Sequence, residues 1–103
     1  MSMKILICCA GGFSSSIVEK KLRDYGQTIG EEIEVKAVGT AEVSEIIKDG
    51  YQVLLYAPQV RNRARDLEAT ATKAGVPCAL MAPQDYALAN ATNIYKQAKK
   101  LIG

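Results

Sequence analysis

Four short apolar runs alternate with helical patterns along this chain, and this alternation limits the folds open to it. Apolar spacing predicts strands over 5–9, 33–38, 51–56 and 76–81, and helices over 17–29, 43–47, 61–74 and 91–101. Strand–helix alternation is typical of a parallel sheet covered by helices. We therefore predict an α/β fold: a single-domain three-layer sandwich, with a four-stranded parallel sheet and helices on both faces.

Some details of this arrangement follow from individual residues. The third run is nearly all apolar, so we predict a central strand there. Thr40 is placed to cap the second helix, and Cys78 is predicted to lie in the core on an inner strand. Segments 10–16, 57–59 and 82–88 are predicted to be loops at the carboxyl ends of strands, where parallel sheets bind ligands.

Composition narrows the class of protein. The 103 residues, of which 49% are hydrophobic, suit one packed domain spanning 1–103. The net charge of +2 and the scattered basic residues argue against nucleic acid as a partner. No apolar run approaches the roughly 20 residues of a membrane span, and the N-terminus lacks a secretory pattern. We expect a cytoplasmic location without membrane insertion.

The cysteines and the absence of histidine restrict the chemistry. The chain has no histidine, which excludes His-ligated zinc and both Ser-His-Asp and Cys-His catalysis. Cys8, Cys9 and Cys78 lack metal-ligand spacing and are expected to be reduced, so we expect neither metal nor cofactor. A nucleophile here would need activation by backbone dipoles and burial.

A cysteine followed by small residues ends the first strand and leads into the first helix. Unpaired N–H groups at a helix start favour a bound phosphate and a thiolate. The candidate nucleophile is a cysteine at the mouth of this loop, either Cys8 or Cys9. The residues predicted to bind phosphate are Ala10, Gly11, Gly12, Phe13, Ser14, Ser15 and Ser16.

Residue types exclude several other phosphate loops. A Walker loop ends in Gly-Lys-Ser/Thr, whereas Lys20 and Lys21 come too late. A dinucleotide loop needs Gly-x-Gly-x-x-Gly, which is absent. A phosphatase-like loop after the first strand requires an arginine six residues beyond the cysteine, but Ser15 stands there when the count begins at Cys9.

With these loops set aside, the segment from Cys9 to Ser16 resembles the phosphocysteine loop of enzyme IIB components of the bacterial sugar phosphotransferase system. The lactose/cellobiose/chitobiose branch has Cys-Ser-Ala-Gly-Met-Ser-Thr-Ser, and the third-strand loop from Ala57 to Val60 is similar to that branch's Gly-Pro-Gln-Ile. Length and element order agree along essentially the whole chain. The direct matches in the loop are Cys9, Gly12, Ser14 and Ser16.

This resemblance implies a phosphoryl relay. A phosphohistidine on enzyme IIA would donate to Cys9, and the phosphocysteine would donate to a sugar held by membrane enzyme IIC. Cys8 fits the motif less well, because counting from it puts Phe13 where a serine belongs. Cys8 is better interpreted as a small apolar residue of the strand.

Further residues are candidates for the border of the site or for partner contact: Pro58, Gln59, Arg61 and Tyr86. Arg61, Arg63 and Arg65 form either a solvated face or a patch that steers an acidic, phosphorylated partner.

Two alternative functions stay open at this stage. One is a non-catalytic anion-binding or regulatory domain of the same fold, which would not need the thiol. The other is a low-molecular-weight cysteine phosphatase or arsenate reductase, which the missing arginine disfavours. A redox role is weaker still, since there is no Cys-x-x-Cys.

Overall fold

The computed structural model describes residues 2–9 and 16–102. The strands are β1 (Ser2–Cys9), β2 (Glu32–Gly39), β3 (Val53–Tyr56) and β4 (Cys78–Leu80). The helices are α1 (Ser16–Ile29), α2 (Val43–Ile46), α3 (Ala64–Ala74), α4 (Pro83–Ala87) and α5 (Ala91–Ile102). Two 3₁₀ segments cover Thr40–Glu42 and Pro58–Arg63.

The strands form one parallel sheet in the order β2-β1-β3-β4. Ile5 of β1 lies between Val35 of β2 and Val53 of β3, which fixes the register at the centre of the sheet. The predicted α/β class, the parallel sheet and the central place of the third strand are confirmed. The predicted loop after the first strand, phosphatase-like in its place but without the arginine, spans 10–16 and lies outside the described residues except for Ser16.

Alternate side chains of the strands enter two cores, one on each face of the sheet. On one face, α1 and α5 pack on odd-numbered residues of β1; on the other, α2 and α3 pack on even-numbered ones. The helix residues buried in the first core are Val18, Leu22, Ile94, Tyr95 and Ala98. Those in the second are Val43, Ile47, Leu67 and Ala71, of which Ile47 directly follows α2. Helices therefore cover both faces, as predicted.

The fourth strand differs from its prediction. It begins at Cys78 rather than at residue 76, because Pro77 has no N–H to donate to a neighbouring strand. It is an edge strand, so Cys78 is half-buried and not part of an inner strand. Segment 82–88, which the sequence predicts to be either a loop or a first helical turn, contains the short helix α4.

At the helix ends, the apolar pattern of α1 is only partly buried, and one capping prediction is wrong. Ile17 and Ile29 follow the apolar spacing of α1 but are exposed, because only Val18, Leu22 and Gly26 of this helix are buried. Thr40 does not cap the second helix. It opens a 3₁₀ segment that Gly39 precedes, and the Gly39 N–H donates to the Glu42 carboxylate across 3.4 Å.

A glycine is required at position 26 because the segment from Glu31 to Ile33 passes close to α1 there. A β-carbon at this position would lie 2.7 Å from the Glu31 carbonyl oxygen and 2.9 Å from Ile33 Cγ1. The Glu31 N–H also donates to the Gly26 carbonyl at 2.8 Å, which fixes the turn into β2.

We therefore expect Gly26→Ala to lower the free energy of unfolding by about 2 kcal/mol, since overpacking outweighs the gain in helix propensity. Urea denaturation followed by circular dichroism measures this change. Gln27→Ala, at an exposed neighbouring position of α1, is the control and should leave the midpoint nearly unchanged. An unchanged or raised midpoint for Gly26→Ala would contradict the close approach.

Candidate functional site

Backbone hydrogen bonds connect the carboxyl ends of three strands, β1, β3 and β4, along the edge of the sheet where these strands end. The Ala57 N–H donates to the Cys8 carbonyl at 2.8 Å, and the Met81 N–H donates to the Tyr56 carbonyl at 3.0 Å. On the other side, Cys9 pairs in register with Gly39 at the end of β2. Cys9 therefore ends a central strand at the middle of this edge, where α/β sheets bind ligands.

The two adjacent cysteines point to opposite faces of the sheet. Cys9 belongs to the core under α1 and α5, whereas Cys8 belongs to the core under α2 and α3. The Cys9 side chain is 0% exposed. A phosphoryl donor can reach this sulfur only if the groups covering it move aside.

Burial disfavours ionisation of the Cys8 thiol. Burial, with a smaller contribution from the charge of Cys9, raises the pKa of Cys8 from 9.0 to about 11, and Arg63 opposes the change. Burial likewise raises the pKa of the half-buried Cys78 to about 12, with the Glu68 carboxylate adding to the effect. Both thiols are therefore protonated near neutral pH, and protonated thiols are poor nucleophiles.

These raised pKa values predict a loss of stability in alkaline solution. Unfolded thiols ionise near about pH 8.5, so between there and about pH 11 the folded state binds more protons than the unfolded state. The free energy of unfolding should fall across this window, by about 3 kcal/mol for Cys8. Urea denaturation at several pH values measures the slope. Cys8→Ala should flatten it, and an equally steep slope in that variant would exclude Cys8 as the cause.

The predicted border residues lie near this edge. Pro58 and Gln59 open the 3₁₀ segment that follows β3, with Pro58 half-buried and Gln59 exposed. Arg61 is exposed in the same segment. Tyr86 lies in α4 and packs against the core that contains Cys9.

The predicted phosphate-binding residues are described only in part. Ser16 is the exposed first residue of α1, which begins near the end of β1 as the sequence predicts. The other six predicted residues, 10–15, lie outside the described part of the chain. In the arginine group, Arg63 Nε lies 3.7 Å from Asp66 Oδ2, so this guanidinium is partly neutralised.

Sequence reasoning missed two exposed apolar residues near this edge. Ile17, in the first turn of α1, is 62% exposed, and Leu88, directly after α4, is 76% exposed. Ile17 belongs to the apolar spacing that predicts α1, and Leu88 lies in a segment predicted to be a loop or a first turn. Only the tertiary structure shows that both side chains face solvent.

No three His, Cys, Asp or Glu side chains within 2–9 and 16–102 are arranged to hold a metal ion. No helix in the same ranges combines the length and apolar character needed to cross a membrane.

The fold and the site define a small α/β domain with a cysteine at the carboxyl end of a central parallel strand. Over residues 4–102, the sequence matches the family of lactose/cellobiose-specific IIB subunits of the PTS system, the sugar phosphotransferase system. The chain belongs to this family and is a phosphotransferase component of sugar uptake. The resemblance seen in the sequence is thereby confirmed.

Individual relatives agree with this assignment. The chain is 31% identical to the oligo-β-mannoside-specific EIIB component of Bacillus subtilis, over 96% of this chain and 95% of the relative. It is 28% identical to the galactose-specific EIIB component of Lactococcus lactis subsp. cremoris, over 95% and 94%. It is also 31% identical, over 73% of its length, to 13% of a lactose-specific EIICB component from Streptococcus mutans.

Solved structures of IIB components share the fold. The cellobiose-specific IIB component of Borrelia burgdorferi superposes with a TM-score of 0.81 and 26% identity, covering 99% of this chain and 93% of the other. The lactose-specific IIB domain from Streptococcus pneumoniae superposes with a TM-score of 0.82 at 17% identity, covering 95% and 98%. The parallel α/β architecture is therefore the architecture of known IIB proteins.

Proposed function

We propose that Cys9 carries the phosphoryl group in this IIB component. The observation that supports this most strongly is the position of Cys9 at the carboxyl end of a central strand, on the face of the sheet opposite to Cys8. Cys8 is held protonated in one core, with a pKa of about 11, while Cys9 ends β1 directly before the loop that resembles a phosphocysteine loop. Only Cys9 combines the motif position with a place at the end of the strand.

In the proposed reaction, the Cys9 thiolate attacks the phosphorus of a phosphohistidine on enzyme IIA. The P–N bond breaks as the P–S bond forms, and the histidine leaves neutral after taking a proton. A hydroxyl of a sugar bound to membrane enzyme IIC then attacks the phosphorus, loses its proton, and displaces the Cys9 thiolate. Phosphoryl transfer passes through a loose transition state, so positioning and charge stabilisation supply most of the catalysis.

The backbone and serine hydroxyls of 10–16 are the proposed source of that stabilisation. Amides at the start of α1, together with the hydroxyls of Ser14, Ser15 and Ser16, would hold the phosphoryl oxygens. Since Cys9 is enclosed, docking of a donor must uncover it, and enclosure between transfers would protect phosphocysteine from water. The relay needs no strong general acid on this protein. Such a group would also help water to attack the phosphocysteine, which has to survive until its acceptor arrives.

The proposed partners are enzyme IIA as donor and enzyme IIC as the sugar-bearing acceptor. One relative joins the two activities in its name, as a lactose-specific EIICB component, which supports the IIC partnership. The sugar is proposed to be of the cellobiose, chitobiose or lactose class, from the family to which the chain belongs. Residues 1–103 would then act as one cytoplasmic domain that meets the membrane through IIC.

Burial of Cys9 also favours one competing function, a non-catalytic anion-binding or regulatory domain. In that case the thiol is a core group, and the loop binds an anion without reacting with it. The exposed Arg61, Gln59 and the half-buried Tyr86 would border the site under either proposal.

Intact-protein mass spectrometry separates these two proposals. The protein is incubated with phosphoenolpyruvate, the general phosphotransfer proteins and a lactose-class enzyme IIA, and a parallel sample omits IIA. One added phosphate that depends on IIA is expected. That phosphate should be lost when membranes containing a cognate IIC and its sugar are added. An unchanged mass with several different IIA proteins would refute the relay and leave the anion-binding domain.

A further inference from the structure

The two helices on one face of the sheet carry a marked excess of positive charge. Together, α1 and α5 contain six basic and two acidic side chains, a net charge of +4, whereas the whole chain has +2. On the opposite face, α2, α3 and the two 3₁₀ segments contain four basic and four acidic side chains, a net charge of zero. The domain is therefore electrostatically polarised across its sheet.

Helices α1 and α5 lie side by side, so their outer surfaces are continuous. The rings of Tyr25 and Tyr95 pack with centroids 5.3 Å apart between them. Val18 and Leu22 of α1, like Ile94 of α5, point into the core. The opposite sides of the two helices are thus left to solvent. The basic face is defined by the four exposed lysines on these outer sides: Lys20, Lys21, Lys96 and Lys100.

The charges of the basic face are not neutralised within the domain. Glu19 pairs with Arg23, and Glu31 accepts a hydrogen bond from the Tyr95 hydroxyl and lies 4.0 Å from Lys99 Nζ. Within the part of the chain that the structure describes, the ion pairs involve only Arg23, Arg63 and Lys99. All four lysines of the basic face are thus available to an external anion, and Asp24 is the one exposed carboxylate beside them on α1.

We propose that the basic face docks on the anionic phospholipid headgroups of the membrane. A layer of two adjacent helices suits a broad anionic surface, and each lysine held near such a surface strengthens binding about five-fold. Ile17, 62% exposed beside Lys20 and Lys21, supplies an apolar side chain for the interface. The inference rests on membership in a sugar-uptake family, but not on the identity of the phosphorylated residue.

With the basic face on the bilayer, the Cys9 edge of the sheet faces along the membrane surface. Helix α1 begins at that edge and α5 ends at the opposite one, so both axes would run roughly parallel to the bilayer. A weak attraction of this kind would hold the domain near its membrane partner between transfers without burying the site. Because the contact is electrostatic, it should weaken steeply as salt rises.

Sedimentation with sucrose-loaded vesicles tests the proposal on the whole protein. Vesicles of phosphatidylcholine with about 30% phosphatidylserine are compared with pure phosphatidylcholine at low salt. We expect binding only to the anionic vesicles, with at least about a 20-fold loss of affinity in Lys96→Glu/Lys100→Glu. The matched control is Lys48→Glu/Lys73→Glu, which makes the same charge change at exposed positions on the opposite side of the sheet.

The control should retain most of the binding. Equal losses in the two double variants would show that net charge alone is responsible and would overturn the proposal. So would equal binding to neutral and anionic vesicles, or full binding by Lys96→Glu/Lys100→Glu. Both variants should accept phosphate from enzyme IIA at the wild-type rate in solution, so a failure of vesicle binding is distinguishable from a failure of the relay.

Discussion

Cys9→Ser is expected to accept no phosphate from enzyme IIA, whereas Cys8→Ala is expected to accept one, as wild type does. The serine hydroxyl is not ionised near neutral pH and no histidine is present to activate it, so the nucleophile is lost completely. Cys8 contributes only packing to the core under α2 and α3. Intact mass after incubation with the phosphotransfer chain measures both variants in one experiment.

The pair of variants is informative because the two thiols are neighbours with different surroundings. Cys8 and Cys9 are both fully buried, so removal of either sulfur leaves a similarly small defect. Thermal unfolding of the two variants controls for this defect. Phosphate on Cys9→Ser would move the acceptor to Cys8 or to a loop serine. Loss of phosphate in both variants, with normal unfolding, would mean that the pair acts as a unit.

Hydrophobic spacing was sufficient to predict the class of fold. The alternation of strand and helix patterns required a parallel sheet, and the long apolar run ending at Tyr56 required a central third strand. These predictions depend on periodicities that the backbone imposes directly. Gly75 likewise ends α3 in the left-handed conformation that its position after the last helical residue indicated.

The predictions that failed concern the edges of the fold. Ile17 follows the helical spacing but lies beyond the area that the sheet covers, and spacing contains no information about where that area ends. Cys78 was given to the core because its run is apolar, yet it belongs to an edge strand. The order of the strands depends on contacts distant in sequence, and a single sequence does not show them.

The sequence predicted those features of the candidate site that depend on the order of residues along the chain. The motif identified Cys9, and the general rule for parallel sheets placed it at the carboxyl edge. Sequence alone did not show that Cys9 is enclosed, that Arg63 influences the pKa of Cys8, or that Tyr86 packs against the core containing Cys9. These contacts form because β1, β3 and β4 end side by side. The hydrogen bonds that the Ala57 and Met81 N–H groups donate fix this alignment of the strand ends.

Gly12→Val is expected to abolish phosphate acceptance while the domain stays folded. In the proposed relay, backbone amides between Cys9 and Ser16 surround the phosphoryl oxygens, and any β-carbon at Gly12 would compete for that space. In that proposal, a branched side chain would fill the cradle while the cysteine itself is unchanged. The expected result is an unchanged intact mass after incubation with the phosphotransfer chain, together with a wild-type far-ultraviolet circular dichroism spectrum.

Ala69→Val supplies the control, because it adds the same side chain at an exposed position of α3. This variant should gain one phosphate as wild type does. Phosphate on Gly12→Val would refute the backbone cradle even if Cys9 were the acceptor, since the oxygens would then have to be held by other groups. Cys9→Ser tests the atom that is phosphorylated, and Gly12→Val tests the surroundings that make phosphorylation possible. If Cys9→Ser and Gly12→Val both fail to accept phosphate while both variants stay folded, the loop and the thiol must act together.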